Sequence, residues 1–386
     1  MQLKKVLFLL TLCMTHIAFG AEENSLRILV VGGGLSGLSV AKALQNKGLY
    51  VDIIEKEPEL RSGGAGIAFP ANGSWALEKL GVSIGEKAVP ITKMRFTDEE
   101  GELIIEEDLT SIHPDGSSFY SIGREDLYKQ LLFSLDEKIK IKTGVIVTSF
   151  VEDESLVTIE FSDDTKKQYD LVLISEGIHS SFREKIHPKE RAEFLNLLVW
   201  RTIVNTKSGI DMPTYMLGKD RLLFFYPMVD KQVYVYGHIF QPVRSSCFER
   251  FSDLFSSFGG PAPAIVSCID SQNFEGYPME RSASVRFKLD GFNRILLLGD
   301  ASHAFGPALQ NGAAQAFEDA YVVGELIENI GASEIPAFID AFVSRRFKRV
   351  EAVFTMSNRN MQTISDPQEI EGLVTACNNL YKSANI

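Results

Sequence analysis

The sequence of 386 residues predicts an α/β protein in which a parallel sheet with flanking helices carries an inserted β-rich domain. Residues 26–31 form a continuous apolar run, as expected of a strand that is buried on both faces of a parallel sheet. A second such run, 295–298, lies far along the chain. Between them, residues 196–240 read as successive short strands separated by turn signals. The first sheet is therefore assembled from distant segments.

The remaining elements follow from local patterns. A helix is predicted over residues 36–47, and a strand over 51–54 that ends on Glu55 completes a βαβ unit. Residues 92–185 alternate strands with charged turns and contain a helix at about 124–136. Further along, the patterns predict strands at 197–204, 222–228 and 233–240, a helical stretch over 251–270 that is broken at Gly259-Gly260-Pro261, and helices from about residue 312.

Composition narrows the classes of function. Hydrophobic residues make up 45% and charged residues 23% of the chain, as in ordinary globular enzymes. The formal net charge of −12 argues against a nucleic-acid partner. The basic residues within 345–349 are predicted to lie on a solvated helix face. The four cysteines are scattered without metal-ligand spacing and the sequence has no H-E-x-x-H motif, so no metal site is predicted.

The first twenty residues have the layout of a secretory signal peptide. Lys4 and Lys5 precede an apolar stretch over 6–19, and small residues stand three and one positions before a cut at Ala21. The stretch is shorter than a membrane-spanning helix requires, so no stable membrane span is expected after removal of the signal. If the signal is used, the protein is exported to a periplasm or secreted. The competing interpretation is a start at Met14 and a cytoplasmic protein.

A glycine-rich motif follows the first strand. Gly32-Gly33-Gly34-Leu35-Ser36-Gly37 fits G-x-G-x-x-G between a strand and a helix, the arrangement of a Rossmann-like dinucleotide site. Gly32 permits the tight turn, Gly34 lets a pyrophosphate approach the backbone, and Gly37 lets the helix pack on the strand. The helix N-terminus then faces the phosphates, and Glu55 is placed to accept hydrogen bonds from ribose hydroxyls. This motif alone leaves NAD and FAD both open.

A second motif resolves that choice through a family resemblance. Gly299-Asp300 follows the strand at 295–298, and Pro307-Ala308-Leu309-Gln310-Asn311-Gly312 opens a helix about ten residues later. With these motifs the sequence resembles the flavoprotein monooxygenases of the p-hydroxybenzoate hydroxylase type, over nearly all of the chain after residue 25. The other motifs that carry the resemblance are Gly64-Ala65-Gly66-Ile67 with Leu80-Gly81, the residues 122–127, the residues 170–177 with Ser180 and Arg183, and Glu318-Asp319-Ala320.

The resemblance implies an FAD cofactor and roles for the matching residues. Asp300, after Gly299, would hydrogen-bond the ribityl and pyrophosphate side of FAD, and Arg124 would lie near the same cofactor. The backbone from Leu309 to Gly312 would face the pyrimidine end of the isoalloxazine, where a helix N-terminus stabilises negative charge on the reduced ring. His303 would lie near the flavin in a structural role.

The resemblance also implies the reaction. NAD(P)H would bind transiently and deliver hydride to FAD, O2 would add to the reduced ring, and the hydroperoxide would hydroxylate a small aromatic or enolic substrate. Two alternatives stay open, an FAD-binding protein that has lost oxygenation and an FAD-dependent reductase or dehydrogenase. The sequence does not distinguish NADH from NADPH and leaves the oligomeric state open.

The chain departs from the family pattern at three places. The family has Asp-Gly where this chain has Glu176-Gly177, and Gly-Gln-Gly where it has Gln310-Asn311-Gly312. It also has Asn where this chain has Ala314. These changes bear on flavin mobility and on the choice of reductant, and they favour the non-oxygenating alternative more than they weaken FAD binding.

The substrate side is predicted from strand alternation, and no catalytic residue is assigned. Tyr234, Tyr236, His238 and Phe240 share one face of a strand, as do Leu222, Phe224 and Tyr226 in the preceding strand. Such a face suits an aromatic pocket with polar groups, and also suits an ordinary packed sheet. The candidate substrate contacts are Tyr226 and His238.

These patterns give a domain division. The discontinuous FAD-binding domain is predicted to comprise residues 26–91, 116–185 and 286–345. The β-rich substrate domain would comprise 92–115 and 186–285, followed by a C-terminal helical segment over 346–386.

Overall fold

A computed structural model describes residues 26–61, 64–110, 117–207, 210–244, 249–269, 274–359 and 372. The predicted signal peptide lies outside these residues. So does most of the predicted C-terminal segment, beyond residue 359. Within the described part of the chain, no helix combines the length and the apolar composition that crossing a membrane requires.

The helices predicted at 36–47, at about 124–136 and from about residue 312 are present, and three further helices begin at Ala71, Ser181 and Asp300. In chain order, the helices are α1 Leu35–Gln45, α2 Ala71–Lys79, α3 Arg124–Phe133, α4 Ser181–Ile186, α5 Phe251–Leu254, α6 Ala262–Val266, α7 Asp300–His303, α8 Gly312–Leu326 and α9 Ile335–Arg359. Short 3-10 turns cover Val229–Lys231, Pro307–Leu309 and Ala332–Glu334. The stretch predicted as one broken helix over 251–270 forms two short helices, and Gly259-Gly260-Pro261 lies between them, immediately before the second one.

The strands form four sheets. They are β1 Ile28–Val31, β2 Val51–Glu55, β3 Gly66–Phe69, β4 Val89–Ile91, β5 Lys93–Asp98, β6 Leu103–Asp108, β7 Phe119–Gly123, β8 Lys140–Thr143, β9 Val147–Glu152, β10 Val157–Phe161, β11 Lys166–Tyr169, β12 Leu171–Ile174, β13 Glu193–Asn205, β14 Thr214–Leu217, β15 Arg221–Pro227, β16 Gln232–Phe240, β17 Tyr277–Arg281 and β18 Ile295–Leu297.

The parallel sheet has the strand order β18-β12-β1-β2-β8. Every residue of β1, β12 and β18 is buried, because α1 and α8 cover one face and the antiparallel sheet β11-β10-β9 covers the other. This double coverage explains why these strands are continuous apolar runs in the sequence. Their carboxyl ends lie side by side at one edge, where open α/β sheets bind ligands.

The inserted β-rich region forms a seven-stranded sheet of order β17-β13-β16-β15-β14-β5-β6. Strands β5 and β6 come from an early segment of the chain, and β5 joins this sheet by a parallel pairing with β14. Helices α5 and α6 pack on one face, around Trp200. The other face carries most of the tyrosines and packs against β3 and β4 of the small sheet β3-β7-β4.

The basic stretch within 345–349 corrects one expectation. Arg346 is fully buried, so the prediction of a solvated face is wrong for this residue. Its guanidinium contacts Glu318 at 2.6 Å and Asp319 at 2.8 Å, both on α8 and both fully buried. Two carboxylates in the interior need a cation nearby, and α9 supplies it. Helix α9 also runs without a break through residues 345 and 346, where the domain division had placed a boundary.

Candidate active site

The glycine-rich turn after β1 is packed too tightly for side chains at two positions. Gly32 has φ of 106° and its N–H donates to the Ile54 carbonyl at 2.8 Å. A Cβ on Gly32 would lie 2.3 Å from the Ser175 carbonyl oxygen, and a Cβ on Gly37 would lie 1.9 Å from the Gly32 oxygen. Hydrogen is the only substituent that fits, so these glycines hold α1 against β1.

Gly34 is different, because its surroundings are open. It precedes α1 in an extended conformation, and a Cβ placed on it would meet no atom within 4 Å. No side chain caps the N-terminus of α1, and its first turn holds no acidic residue. The unpaired N–H groups and the partial positive charge of the helix end therefore face an open cradle that fits a pyrophosphate.

Glu55 lies at the end of β2, beside this cradle. One carboxylate oxygen accepts from the Gly33 N–H at 2.8 Å, and the other accepts from the Glu57 N–H at 2.9 Å. These bonds fix the carboxylate while each oxygen keeps a second lone pair. Glu55 can thus accept hydrogen bonds from two neighbouring ribose hydroxyls, as the sequence predicts.

The ends of β12 and β18 complete the edge. The Ser36 hydroxyl lies 3.2 Å from the Ser175 hydroxyl. Gly299 has φ of 55°, and a Cβ there would lie 2.8 Å from the Ser36 hydroxyl oxygen. The three turns that follow β1, β12 and β18 therefore meet at one place. Among the described residues, no group of three or more His, Cys, Asp and Glu side chains could hold a metal ion.

Asp300 and Arg124 lie next to this meeting point. Asp300 is exposed at the start of α7, and its carboxylate has no hydrogen-bond partner among the described residues. A Cβ on Gly312 would lie 3.8 Å from this carboxylate. Burial lowers the pKa of Arg124, and the charge of Asp300 acts in the opposite direction. A free carboxylate suits the hydroxyl groups of a dinucleotide, and a half-buried guanidinium suits its phosphates.

The loop before α8 is held from beneath by buried amides. Asn311 is buried, and its Oδ1 accepts from the Asn72 side chain at 3.2 Å and from the Gln315 side chain at 2.9 Å. Asn72 also donates to Glu318 at 2.6 Å. Helix α2 thus supplies an amide beside Ala314, the position where the family has Asn.

Helix α8 also stabilises the turn at Gly299. Asp319 accepts from the Gly299 N–H at 3.0 Å and contacts His303 Nε2 at 2.7 Å. Burial raises the pKa of Glu318, but the guanidinium groups of Arg346 and Arg349 lower it to about 2. Both carboxylates of α8 therefore stay charged and fix the segments around residues 299 and 311 from behind.

Glu176, a departure from the family pattern, has a local partner. Its carboxylate accepts from the hydroxyls of Ser180 and Ser181, both at 2.9 Å, and from the Phe182 N–H at 3.2 Å. The longer side chain therefore reaches the N-terminus of α4 and is engaged there.

The substrate side is a row of four rings and one arginine that crosses five neighbouring strands. Register pairs Phe96 of β5 with Tyr215, Tyr215 with Phe224, Phe224 with Tyr236, and Tyr236 with Arg201 of β13. We call the first four residues the aromatic row. Their neighbouring ring centroids are 4.4–5.0 Å apart, and all four are buried.

The two predicted substrate contacts lie on the same face, beside the row. Tyr226 is fully buried with its hydroxyl 2.8 Å from the Tyr215 hydroxyl. His238 Nδ1 lies 3.2 Å from the Tyr236 hydroxyl, and burial lowers the pKa of His238 to about 4. His238 is therefore a neutral imidazole near pH 7.

Two residues of this face were missed by sequence reasoning. Tyr215 links the aromatic row to the loop before α8, because the Gln310 side-chain amide donates to its hydroxyl. Arg201 has no carboxylate partner among the described residues. Its Nε is buried without a partner, its Nη2 donates to the Met279 sulfur at 3.6 Å, and its guanidinium carbon lies 5.6 Å from the Tyr236 ring centroid. The available signal was an arginine inside an otherwise apolar strand, on the same alternation as Leu197 and Val199.

Comparisons with known proteins agree with this geometry. The model of the FAD binding domain family matches residues 25–357. The chain is 25% identical to 6-hydroxynicotinate 3-monooxygenase of Pseudomonas fluorescens, over 89% of this chain and 94% of the relative. It is also 25% identical to the FAD-dependent urate hydroxylase of Klebsiella pneumoniae, over 84% of this chain and 87% of the relative.

The fold is likewise similar to a solved structure. Klebsiella pneumoniae HpxO complexed with FAD and uric acid superposes with a TM-score of 0.79 at 23% identity, over 92% of this chain and 93% of that one. The family match covers the glycine-rich turn, the Gly299-Asp300 turn and the loop before α8 together. The chain therefore belongs to the FAD-binding family of flavoprotein aromatic monooxygenases.

Proposed function

We propose that the protein is an FAD-dependent monooxygenase that uses NAD(P)H and O2 to hydroxylate a small aromatic or enolic anion. The observation that carries the proposal is the position of the loop before α8. This loop lies next to Asp300 through Gly312, and it contacts the aromatic row through Gln310 and Tyr215. A cofactor held at the sheet edge would thus adjoin the tyrosine-rich face.

The residues of the chain bind and orient the cofactor. FAD supplies the redox chemistry, accepting hydride from NAD(P)H and activating O2. Gly34 and the α1 N-terminus bind the pyrophosphate, Glu55 and Asp300 accept from hydroxyl groups, and Arg124 contributes a cation. The N-terminus of α8 directs its partial positive charge toward the flavin-facing loop, where it stabilises negative charge.

The tyrosine-rich face excludes water and orients the substrate. The rings of the aromatic row are buried and form an apolar wall against which an aromatic compound can pack. Arg201, at the end of the row, is a half-buried cation without a carboxylate among the described residues. A guanidinium that is partly withdrawn from water gains free energy when an anion pairs with it, so Arg201 favours a substrate that carries a carboxylate or an ionised hydroxyl.

The test is turnover by purified protein that shows a flavin spectrum. NADH and NADPH oxidation is followed with a panel of aromatic carboxylates, phenols and enols, and the products are identified by mass spectrometry. Substrate-stimulated, oxygen-dependent oxidation with a hydroxylated product is expected. Bound flavin that neither nicotinamide reduces would support the non-oxygenating alternative. Turnover without oxygen, on an artificial acceptor, would identify a reductase or dehydrogenase.

The proposal includes export of the protein. Its support is the sequence alone, namely two lysines, an apolar stretch and small residues before Ala21. N-terminal sequencing of the protein from its native source tests it. A mature chain that begins at Ala21 is expected, whereas a chain that begins at Met1 or Met14 in the cytoplasm would contradict export.

A further inference from the structure

Gln310 occupies a backbone conformation that favours glycine. Its φ is 51° and its ψ is 29°, in the left-handed region where a side chain is disfavoured. Glycine is also the residue that the family pattern has at this position. A strained residue at a ligand-facing loop is a reason to ask what its side chain does.

One end of the Gln310 side chain is bound and the other end is not. The amide Nε2 donates to the Tyr215 hydroxyl, which itself lies 2.8 Å from the Tyr226 hydroxyl. The amide oxygen, Oε1, is buried and has no hydrogen-bond partner. Because the bond to Tyr215 fixes the amide, this oxygen points in a defined direction as a bare acceptor.

The neighbouring protein groups do not satisfy this oxygen. Pro307 in the same loop has no N–H, and the Gln310 N–H donates to the Pro307 carbonyl at 3.0 Å. The side-chain Nδ2 of the next residue, Asn311, also has no hydrogen-bond partner in the described part of the chain, so it does not donate to Gln310. A buried acceptor without a partner costs free energy unless a ligand supplies a donor. Its place between the flavin-facing loop and the aromatic row is where the substrate would lie.

We propose that Gln310 is a specificity-determining residue whose Oε1 accepts a hydrogen bond from an O–H or N–H group of the substrate. The inference rests on the proposed function and narrows it to aromatic or heteroaromatic compounds that carry such a donor. Register places Arg201 three strands away from Tyr215, so strand spacing puts about 14 Å between their backbones. The anionic group of the substrate lies at Arg201 and the donor lies at Gln310.

The experiment compares matched ligands on the FAD-loaded oxidised protein. Dissociation constants are measured from the perturbation of the flavin absorbance by 4-hydroxybenzoate against 4-methoxybenzoate and by 6-hydroxynicotinate against 6-methoxynicotinate. Each pair keeps the ring and the carboxylate and differs in the donor. For at least one pair, wild-type protein is expected to bind the donor compound about tenfold more tightly, the effect of one hydrogen bond.

Two variants separate the acceptor from its anchor. In Gln310→Met the side chain keeps its length and bulk, so any steric preference persists while the hydrogen-bond preference falls toward one. In Tyr215→Phe the ring is kept but the amide loses its anchor and can rotate, so the preference is expected to fall part of the way toward one. The FAD dissociation constant of each variant, measured by fluorescence, is expected to stay within about threefold of wild type and shows that the site is intact.

Three outcomes overturn the inference. These are Gln310→Met protein that keeps the full preference, wild-type protein that does not distinguish either pair, and wild-type protein that binds no member of the panel. The proposed function is tested separately by oxygen-dependent NAD(P)H oxidation, so an active monooxygenase without a Gln310-dependent preference would overturn this inference alone.

Discussion

Glycines of the same motif have different tasks, and single substitutions separate them. Gly37→Ala places a methyl group 1.9 Å from the Gly32 oxygen, so the FAD-free protein is expected to lose about 1–3 kcal/mol of unfolding free energy. Gly34→Ala meets no atom within 4 Å and is expected to change that stability by less than about 0.5 kcal/mol.

Gly34→Ala is expected to have the smaller effect on stability but the larger effect on FAD affinity. Gly34→Ala fills the open cradle and is expected to raise the FAD dissociation constant at least about tenfold. Urea unfolding of the FAD-free protein and a fluorescence titration with FAD measure the two effects. A Gly34→Ala protein that binds FAD like wild type would show that the pyrophosphate lies elsewhere.

The effect of Arg201 on protein stability can be separated from its effect on substrate binding. Arg201 is half-buried and has no carboxylate partner among the described residues, so replacing it by an apolar side chain of similar length removes part of a desolvation cost. Arg201→Met is therefore expected to raise the stability of the ligand-free protein by about 1 kcal/mol. The same change is expected to weaken 6-hydroxynicotinate binding about 10- to 100-fold, because a charge-assisted hydrogen bond is lost.

A partnered arginine of the same sheet is the control. Arg281 on β17 pairs with Glu193 at 2.9 Å, so Arg281→Met is expected to leave binding of the anion unchanged and not to stabilise the protein. Thermal and urea unfolding with and without the ligand measure these effects. Arg201→Met protein that binds the anion as wild type does would remove Arg201 from the substrate site.

His238 makes stability depend on pH. Its pKa is about 4 in the folded protein because of burial, against about 6.5 in the unfolded chain. Between these values the unfolded chain binds more protons, so stability is full above about pH 6.5 and falls as pH drops toward 4, by on the order of 3 kcal/mol. In His238→Leu protein, the free energy of unfolding measured with urea is expected to depend less on pH between about 4 and 6.5. His179 lies at an exposed site, so His179→Leu is expected to leave this pH dependence unchanged. An unchanged slope in His238→Leu protein would contradict a neutral buried imidazole.

At the scale of elements, helix α9 supports the cofactor edge through the guanidinium groups of Arg346 and Arg349. Arg346→Met would remove the cation that contacts both Glu318 and Asp319 and leave them only Arg349 and His303, so a loss of about 3 kcal/mol is expected in urea unfolding. Lys348→Met, at an exposed position two residues further along α9, is expected to change stability by less than about 0.5 kcal/mol. Equal losses in the two variants would mean that the buried network does not stabilise the fold.

Elements with one dominant local signal were predictable from the sequence. Strands β1 and β18 are continuous apolar runs because both of their faces are covered, and α1 follows a glycine motif that fixes where it begins. The basic stretch of α9 was misread because four positive charges suggest a solvated face. The carboxylates that pair with Arg346 lie on another helix, α8. The spacing of apolar residues along α9 does not reveal a contact with a different helix.

The candidate site shows the same limit. The residues that bind a cofactor through local backbone shape, such as Gly34 and Glu55, are recognisable from a motif. Arg201, Tyr215 and the contact of Gln310 depend on which strands pair and in which register, so only the fold reveals them.

At the scale of the whole molecule, two sheets from interleaved segments create one site. The parallel sheet presents three turns at one edge, and the seven-stranded sheet presents its tyrosine-rich face to the loop before α8. The discontinuity was visible in the sequence because apolar strands recur far apart. The parallel pairing of β5 with β14 was not, since it joins residues more than a hundred positions apart.

The most direct test of the central claim is the origin of the oxygen atom in the product. Purified FAD-loaded protein is incubated under oxygen-18 gas with NADH or NADPH and with the aromatic anions that stimulate oxidation of the nicotinamide. The product is analysed by mass spectrometry. The proposed monooxygenase predicts one labelled oxygen atom per molecule of product. Unlabelled product, or nicotinamide oxidation that yields only peroxide with every compound tested, would contradict it.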